Sequence, residues 1–248
     1  MNQSPGVGEA GREDEVIAFT KVRRLIAERM VQSKATSPHV LMVREIDYEA
    51  VEGVRREHGE RFKATEGFGL TYLTFNACAT VQALGEFPSL NASVRDDTLV
   101  RHRSINLGIA VDLPRGGLVV PVLANAQDLT LREMARGIRD VALRARAAKL
   151  GMDDITGGTF TITNTGPFGT LLTGAIINQP EVAILATDGV ARRPVVAKSP
   201  DGEESLAIRS IGLASINFDH RAVDGAYVAR FLARLAEIMS GRDWDDEL

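Results

Sequence analysis

Residues 211–239 read IGLASINFDHRAVDGAYVARFLARLAEIM, and this stretch decides the fold class. Its apolar beginning completes a strand predicted over residues 206–218, and its end has the apolar spacing of a helix, predicted over residues 227–240. Between them lies a polar cluster in which Asp224 follows His220 by four residues. A histidine at a strand-to-helix junction, with a carboxylate close by in the sequence, is typical of an acid–base unit.

The rest of the chain mixes helices and strands without a regular alternation. Helical spacing of apolar residues predicts four more helices, over residues 20–34, 48–61, 70–84 and 130–150. Apolar and β-branched runs predict further strands, over residues 39–46, 90–95, 98–102, 104–113, 117–123, 157–165 and 181–186. The apolar strand 117–123 is expected to be buried on both faces. The helix predicted over residues 130–150 is expected to end at Gly151. The mixture indicates an α/β fold of the α+β, two-layer kind, in which helices flank a mixed sheet.

The composition is that of an ordinary globular chain, with 248 residues, 44% hydrophobic and 25% charged residues, and a net charge of −4. This charge gives no reason to expect nucleic acid, and no apolar run is long enough to cross a membrane. We expect a disordered tail or linker remnant at residues 1–15, one domain at residues 16–242 and an acidic tail at residues 243–248. Because Cys78 is the only cysteine, no internal disulfide can form, and a reducing, cytoplasmic location is expected.

The motifs that are missing narrow the chemistry of His220. No third ligand with a recognisable spacing accompanies His220 and Asp224, so no metal site is expected. The nucleophile elbow GxSxG, the P-loop and GxGxxG are absent as well. His220 is therefore predicted to act as a general base on a substrate thiol or hydroxyl. Acyl transfer also needs a donor for the oxyanion, and Thr163 and Asn164, at the end of a predicted strand, are candidates.

The segment DHRAVDGA, residues 219–226, resembles the HxxxDG active-site signature of the dihydrolipoamide acyltransferases. These are the core subunits of 2-oxo acid dehydrogenase complexes, and they are related in fold to chloramphenicol acetyltransferase. Further blocks resemble the family in the same order: KVRRLIAERM (21–30), FPSLNAS (87–93), INLGIAVDLPRGGLVVPVL (105–123), GGTFTITNTGPFG (157–169) and IINQPEVAIL (176–185). The resemblance covers about residues 17–240 and implies an acyltransferase catalytic domain with a chloramphenicol-acetyltransferase-like fold.

The resemblance also implies a role for each site residue. His220 would deprotonate the thiol of coenzyme A or of dihydrolipoamide, Thr163 would donate a hydrogen bond to the oxyanion, and Asp224 would hold the local structure. Arg23, in the opening helix, is a candidate ion-pair partner for Asp224. Three more residues are expected to line the site or the oxyanion position: Asn164, Gly225 and His39. Coenzyme A would be a substrate, and the lipoyl group would come from another domain or chain.

Finally, the resemblance implies an assembly. Family members place their active sites between neighbouring subunits of a homotrimer, and the trimers form larger cores that work with lipoyl domains, 2-oxo acid dehydrogenase and dihydrolipoamide dehydrogenase. Full-length members carry lipoyl domains before the core, so this chain is expected to be either an excised domain or a free-standing homologue. Two alternatives remain open: a coenzyme A-dependent acetyltransferase for a small hydroxylated molecule, and a catalytically silent assembly core. The acyl group could be branched-chain, acetyl or succinyl.

Overall fold

The computed structural model describes residues 15–114, 116–199 and 201–248. All but the last residue of the predicted N-terminal tail therefore lie outside the described residues. The helices are α1 (Lys21–Thr36), α2 (Glu49–Glu66), α3 (Tyr72–Glu86), α4 (Leu131–Arg146) and α5 (Gly225–Gly241). The strands are β1 (His39–Asp47), β2 (Ala92–Arg95), β3 (Thr98–Arg101), β4 (Leu107–Ile109), β5 (Val111–Asp112), β6 (Leu118–Val119), β7 (Val122–Leu123), β8 (Phe160–Asn164), β9 (Ala183–Thr187), β10 (Ala191–Lys198) and β11 (Glu204–Asp219).

A mixed sheet with the strand order β1-β11-β9-β8-β4-β7 forms the centre of the fold. Strand β11 is antiparallel to both β1 and β9, whereas β8 is parallel to β9 and β4. The first half of β11 pairs with β10 in a hairpin, and its last residue, Asp219, pairs with His39 at the start of β1. The polar cluster that follows β11 therefore sits where β1 begins.

Helices α2 to α5 cover one face of this sheet. Ile216 and Phe218 of β11 belong to the hydrophobic core on that face, and Phe160 of β8 packs against Phe231 of α5, with ring centroids 6.3 Å apart. The residues between them in β11, Ser215 and Asn217, have the opposite orientation, as the strand repeat requires. Their side chains bind the backbone of the segment 170–179, which crosses the other face of the sheet. The mixed sheet with flanking helices confirms the predicted fold class.

Two local predictions are wrong. Strand 117–123 does not form as one buried strand, because Pro121 cannot donate to a ladder and the run divides into β6 and β7. Leu118 is 54% exposed. The helix before Gly151 ends at Arg146, since Ala148 adopts a left-handed backbone conformation with φ of 52° that a helix cannot continue through. A capping box formed by Thr130 and Glu133 closes its N-terminus.

The last residues are part of the folded domain. Trp244 is buried, and its ring packs edge-on against Phe75 at 5.1 Å between centroids. Arg242 binds both carboxylate oxygens of Glu247, at 2.6 and 2.8 Å. Residues 243–248, which the sequence predicts as an acidic tail, thus pack on the domain through one apolar anchor that lies among the acids. Of the helices that the structure describes, none is long and apolar enough to cross a bilayer.

Candidate active site

His220 stands directly after β11 and presents its ring to solvent. Its backbone N–H donates to the carbonyl of Pro38 at 3.1 Å, which ties the residue to the junction between α1 and β1. The ring is exposed and lies 5.8 Å, between centroids, from the ring of the core residue Phe218. Within the described part of the chain, neither ring nitrogen has a hydrogen-bond partner. The imidazole is therefore free to exchange a proton with a bound substrate.

The residues on either side of His220 form a closed ion pair. Arg221 donates from Nε and Nη2 to the carboxylate of Asp219, with a shortest distance of 2.6 Å. Burial alone would raise the pKa of Asp219, but the hydrogen bonds from Arg221 and Ser37 outweigh it and hold that pKa below its usual range. No role for this pair is predicted from the sequence. The order Asp-His-Arg is nevertheless a sequence signal for the pair, because opposite charges on either side of the base can bind each other and fix its backbone.

Asp224 and Arg23 do not pair within one chain. Asp224 is exposed at the N-cap position of α5, where its backbone carbonyl accepts from Tyr227 at 3.0 Å. Arg23 is exposed near the start of α1, and the described residues give it no carboxylate partner. It lies thirteen residues before the end of α1, or about 20 Å from the junction that holds His220, because a helix rises 1.5 Å per residue. The predicted ion pair is therefore wrong for a single subunit.

Gly225 allows α5 to start close to the sheet. A β-carbon at this position would lie 2.9 Å from the terminal methyl of Met42 in β1. The helix that follows His220 packs on β1, so the glycine brings the helix and the strand together without a clash. The structure supports the close approach that the glycine predicts.

Thr163 and His220 lie far apart in one chain. Thr163 pairs with Ala186 of β9, which pairs with Ser215 of β11, and His220 follows Ser215 by five residues. At ordinary strand dimensions this separates them by roughly 16 Å along the strand and roughly 10 Å across it. Thr163 is half-buried, and its hydroxyl has no hydrogen-bond partner in the described ranges. A single subunit therefore carries the base and the candidate donor at two separate places.

Asn164 supports the turn after β8. Its Oδ1 accepts from the backbone N–H of Gly166 at 3.0 Å and from the hydroxyl of Thr187 at 3.4 Å. These contacts identify the side chain as part of a local turn. The residue also lines a groove at the end of β8.

This groove, of about 640 Å³, lies at the carboxyl ends of β8 and β9, against α3 and α4. Two arginines of α4, Arg139 and Arg146, line it on either side of Ala142. Neither has a carboxylate partner within the described part of the chain, and Arg139 stacks over the ring of Phe68 at 4.6 Å. A neighbouring cavity of about 290 Å³ shares Asn164 and Arg146 with the groove and extends it. The seven-residue spacing of the two arginines places both on one face of α4, and this spacing around a small residue is the sequence signal for a groove.

The remaining histidines have structural contacts. His39 uses both ring nitrogens, to the backbone of Ser37 and of Ile177, so it is not free to face a ligand. His58 binds Asp245 at 3.0 Å, and with Glu57 these residues place possible ligand atoms within 4.8 Å of one another. This group lies on α2 and the C-terminal segment, which do not carry His220 or Thr163.

A family model and curated relatives place this chain among the same group of proteins. The family described as 2-oxoacid dehydrogenases acyltransferase (catalytic domain) matches residues 11–243. The lipoamide acyltransferase component of the branched-chain alpha-keto acid dehydrogenase complex of Bacillus subtilis (strain 168) is 38% identical over 93% of this chain and 53% of its own length. This chain thus spans about half the length of the curated relatives that it matches.

Solved structures agree. The cubic core of a pyruvate dehydrogenase multienzyme complex superimposes with a TM-score of 0.88 and 32% identity over 97% of this chain and 98% of that one. The same values hold for a dihydrolipoamide acetyltransferase of Azotobacter vinelandii, in which the catalytic roles of a serine, a histidine and an asparagine were investigated. Chloramphenicol acetyltransferase, at 14% identity and a TM-score of 0.52 over 86% of this chain and 94% of that one, shares the fold.

Proposed function

The chain belongs to the 2-oxoacid dehydrogenase acyltransferase family, as its catalytic domain, and we propose that it transfers an acyl group between the thiol of a dihydrolipoyl group and coenzyme A. The observation that carries the proposal is the exposed imidazole of His220, which has no hydrogen-bond partner among the described residues and whose backbone lies between the ion-paired Asp219 and Arg221. Because no described serine or cysteine is hydrogen-bonded to this ring, we infer that the base serves a nucleophile that a substrate brings.

The reaction follows from these groups. The imidazole of His220 takes the proton of the attacking thiol, and the thiolate adds to the carbonyl carbon of the thioester. The hydroxyl of Thr163 donates a hydrogen bond to the oxyanion that forms. When the tetrahedral intermediate collapses, the other thiolate leaves and takes the proton back from His220. One thioester is exchanged for another, so the step needs no oxidant, reductant or metal.

The distance between His220 and Thr163 favours a site that two subunits share. A separation of roughly 16 Å along the sheet is too large for both groups to act on one carbonyl, so the oxyanion donor for one His220 is the Thr163 of a neighbour. We infer a homotrimer that assembles into a larger core. In the Azotobacter vinelandii protein the asparagine under study stands four residues after the histidine; Asp224 has that position here.

We propose that the groove at the end of β8 holds the phosphate-bearing half of coenzyme A. Arg139 and Arg146 have no carboxylate partner among the described residues and can bind its phosphates, and Phe68 adds an apolar surface. Asn164, the residue next to Thr163 in β8, lines one end of this groove. The proposal therefore assigns the nucleotide to the subunit that supplies the oxyanion donor.

The other partners follow from the proposed reaction. The lipoyl group comes from another domain or chain, and 2-oxo acid dehydrogenase and dihydrolipoamide dehydrogenase act on it before and after this step. A cytoplasmic location stays a prediction from the sequence. The acyl group is best identified with acetyl-, isobutyryl-, isovaleryl- and succinyl-coenzyme A offered side by side, because one methylene group changes the selectivity by only about 1–3 kcal/mol.

The test is a transfer assay with acyl-coenzyme A and dihydrolipoamide, in which mass spectrometry follows the new thioester. Wild-type protein is expected to form it, and His220→Ala to lose on the order of a thousandfold in kcat. His58→Gln is the matched control, since it removes a histidine from α2 and should leave kcat unchanged. Near-normal turnover by His220→Ala would contradict the mechanism, and acylation of small alcohols but not of dihydrolipoamide would favour the alternative acetyltransferase.

A further inference from the structure

The junction between α1 and β1 determines where His220 stands. The described residues give the side chain of His220 no hydrogen bond, so its position depends on its backbone. Its backbone N–H donates to the carbonyl of Pro38, and the residues on either side of it are joined by the hydrogen bond from Arg221 N–H to the carboxylate of Asp219. Pro38 has no N–H of its own, and its carbonyl extends the β1–β11 ladder, in which His39 pairs with Asp219. The residues before Pro38 lie outside this ladder, so side-chain contacts hold that part of the junction.

His39 provides these contacts on one side. Its Nε2 accepts from the backbone N–H of Ile177 at 3.1 Å, and an amide N–H can only donate. Nδ1 therefore carries the proton of the neutral ring and donates it to the carbonyl of Ser37 at 2.7 Å. One imidazole thus joins the residue before Pro38 to the segment that crosses the sheet.

Two further hydrogen bonds hold the segment around Ile177 to the end of α1 and to Ser37. The buried hydroxyl of Ser33 in α1 donates to the carbonyl of Ile177 at 2.6 Å. Gln179 then donates to the hydroxyl of Ser37 at 2.8 Å. The end of α1, the start of β1 and residues 177–179 are consequently held as one unit, and the carbonyl of Pro38 is part of it.

The crossing segment also reaches the other half of the site. It is bound along its length by Ser215, whose hydroxyl donates to the carbonyl of Thr173. Near Thr163 it is held by Asp188, which accepts from the hydroxyls of Thr165, Thr170 and Thr173 at 2.7 to 2.9 Å. The segment therefore extends from the surroundings of Thr163 to the junction that holds the backbone of His220.

We propose that His39 is a positioning residue for acyl transfer, which acts as a neutral imidazole that fixes the Pro38 carbonyl and thereby the backbone of His220. The inference rests on the proposed acyltransferase function. It assigns His39 no contact with the substrate and no proton transfer. Loss of the ring would let the junction relax, and a displacement of about 1 Å at the base is enough to lower a rate by about a hundredfold.

The test compares three substitutions in the full chain. His39→Gln keeps an acceptor that reaches Ile177, His39→Asn reaches only Ser37, and His39→Ala removes both contacts. The expected kcat falls in the order wild type, Gln, Asn, Ala, with a loss of roughly tenfold to a hundredfold for Ala. KM for acyl-coenzyme A and for dihydrolipoamide should change less than about twofold, because neither substrate touches the ring.

The kcat and KM values of the His39 variants decide whether His39 positions His220. A kcat within twofold of wild type in both His39→Ala and His39→Asn overturns the inference, as does a rise in KM as large as the fall in kcat. If His39→Ala does not fold, the comparison of Gln with Asn decides, since equal rates would contradict a role for the Ile177 contact. Inactive wild-type protein would instead refute the proposed function. His58→Gln serves again as the control.

Discussion

Glu181 is a buried carboxyl group whose charge the fold does not accommodate. It is 3% exposed, and its Oε1 accepts from Thr161 at 2.9 Å and from Asn178 at 3.0 Å. Its Oε2 has no partner within the described part of the chain. Burial raises the pKa of Glu181 from 4.5 to about 8, more than its two hydrogen bonds lower it. We predict that Glu181→Gln changes how stability depends on pH.

The sign and the size follow from linkage. Below pH 4.5 both the folded and the unfolded chain carry the proton, whereas between 4.5 and about 8 only the folded chain keeps it. The free energy of unfolding of the wild type therefore falls as pH rises through this window. Each pH unit in this window lowers the free energy of unfolding by about 1.4 kcal/mol. The stability that Glu181 contributes should therefore decrease by roughly 3 kcal/mol between pH 5 and pH 8.

Urea unfolding at equal protein concentration measures this change. Glutamine keeps the Oε1 acceptor for Thr161 and Asn178 but cannot ionise, so Glu181→Gln should gain stability over wild type as pH rises from 5 to 8. Glu60→Gln, at an exposed position of α2, is the matched control and should follow the wild type at each pH. If the curves of Glu181→Gln and wild type run parallel, the carboxyl group does not keep its proton in the fold and the reasoning is refuted.

Four further substitutions test separate parts of the site. Thr163→Ala should lower kcat by roughly a hundredfold with little change in KM, since its hydroxyl acts in the transition state; a change confined to KM would contradict that role. Arg139→Gln and Arg146→Gln should each raise KM for acyl-coenzyme A by roughly tenfold and leave KM for dihydrolipoamide unchanged, because a charge-assisted hydrogen bond is lost; equal effects on both substrates would place the nucleotide elsewhere. Gly225→Ala should change the free energy of unfolding by less than about 1 kcal/mol, as urea unfolding would measure, because the new β-carbon meets only the flexible end of Met42, which can move aside; a loss of several kcal/mol would mean that α5 cannot pack on β1 without the glycine.

Local patterns predicted most of the fold because they are properties of the chain itself. The apolar run before Asp219 and the helical spacing after it become β11 and α5, and Thr130 with Glu133 caps α4. The errors arise where one residue overrides the pattern around it. Pro121 divides an apolar strand, and Trp244 anchors an acidic segment that composition alone would leave in solvent.

The site was less predictable, because its residues meet through tertiary contacts. His220 and Gly225 are visible from their place between a strand and a helix, but the Arg23–Asp224 pair was inferred from sequence order and is not formed in one chain. Nothing in the spacing of His39 and Ile177, 138 residues apart, indicates that they share a hydrogen bond. The distance between Thr163 and His220 likewise becomes known only from the strand register.

The most direct test of the central claim is activity from two inactive subunits. His220→Ala and Thr163→Ala chains, each with a different affinity tag, are expressed together, and assemblies that carry both tags are purified in two steps. If each site takes His220 from one subunit and Thr163 from its neighbour, every mixed trimer has one intact site and should show about one third of the wild-type rate. Mixed assemblies no more active than the two parent variants would contradict a shared site built from His220 and Thr163.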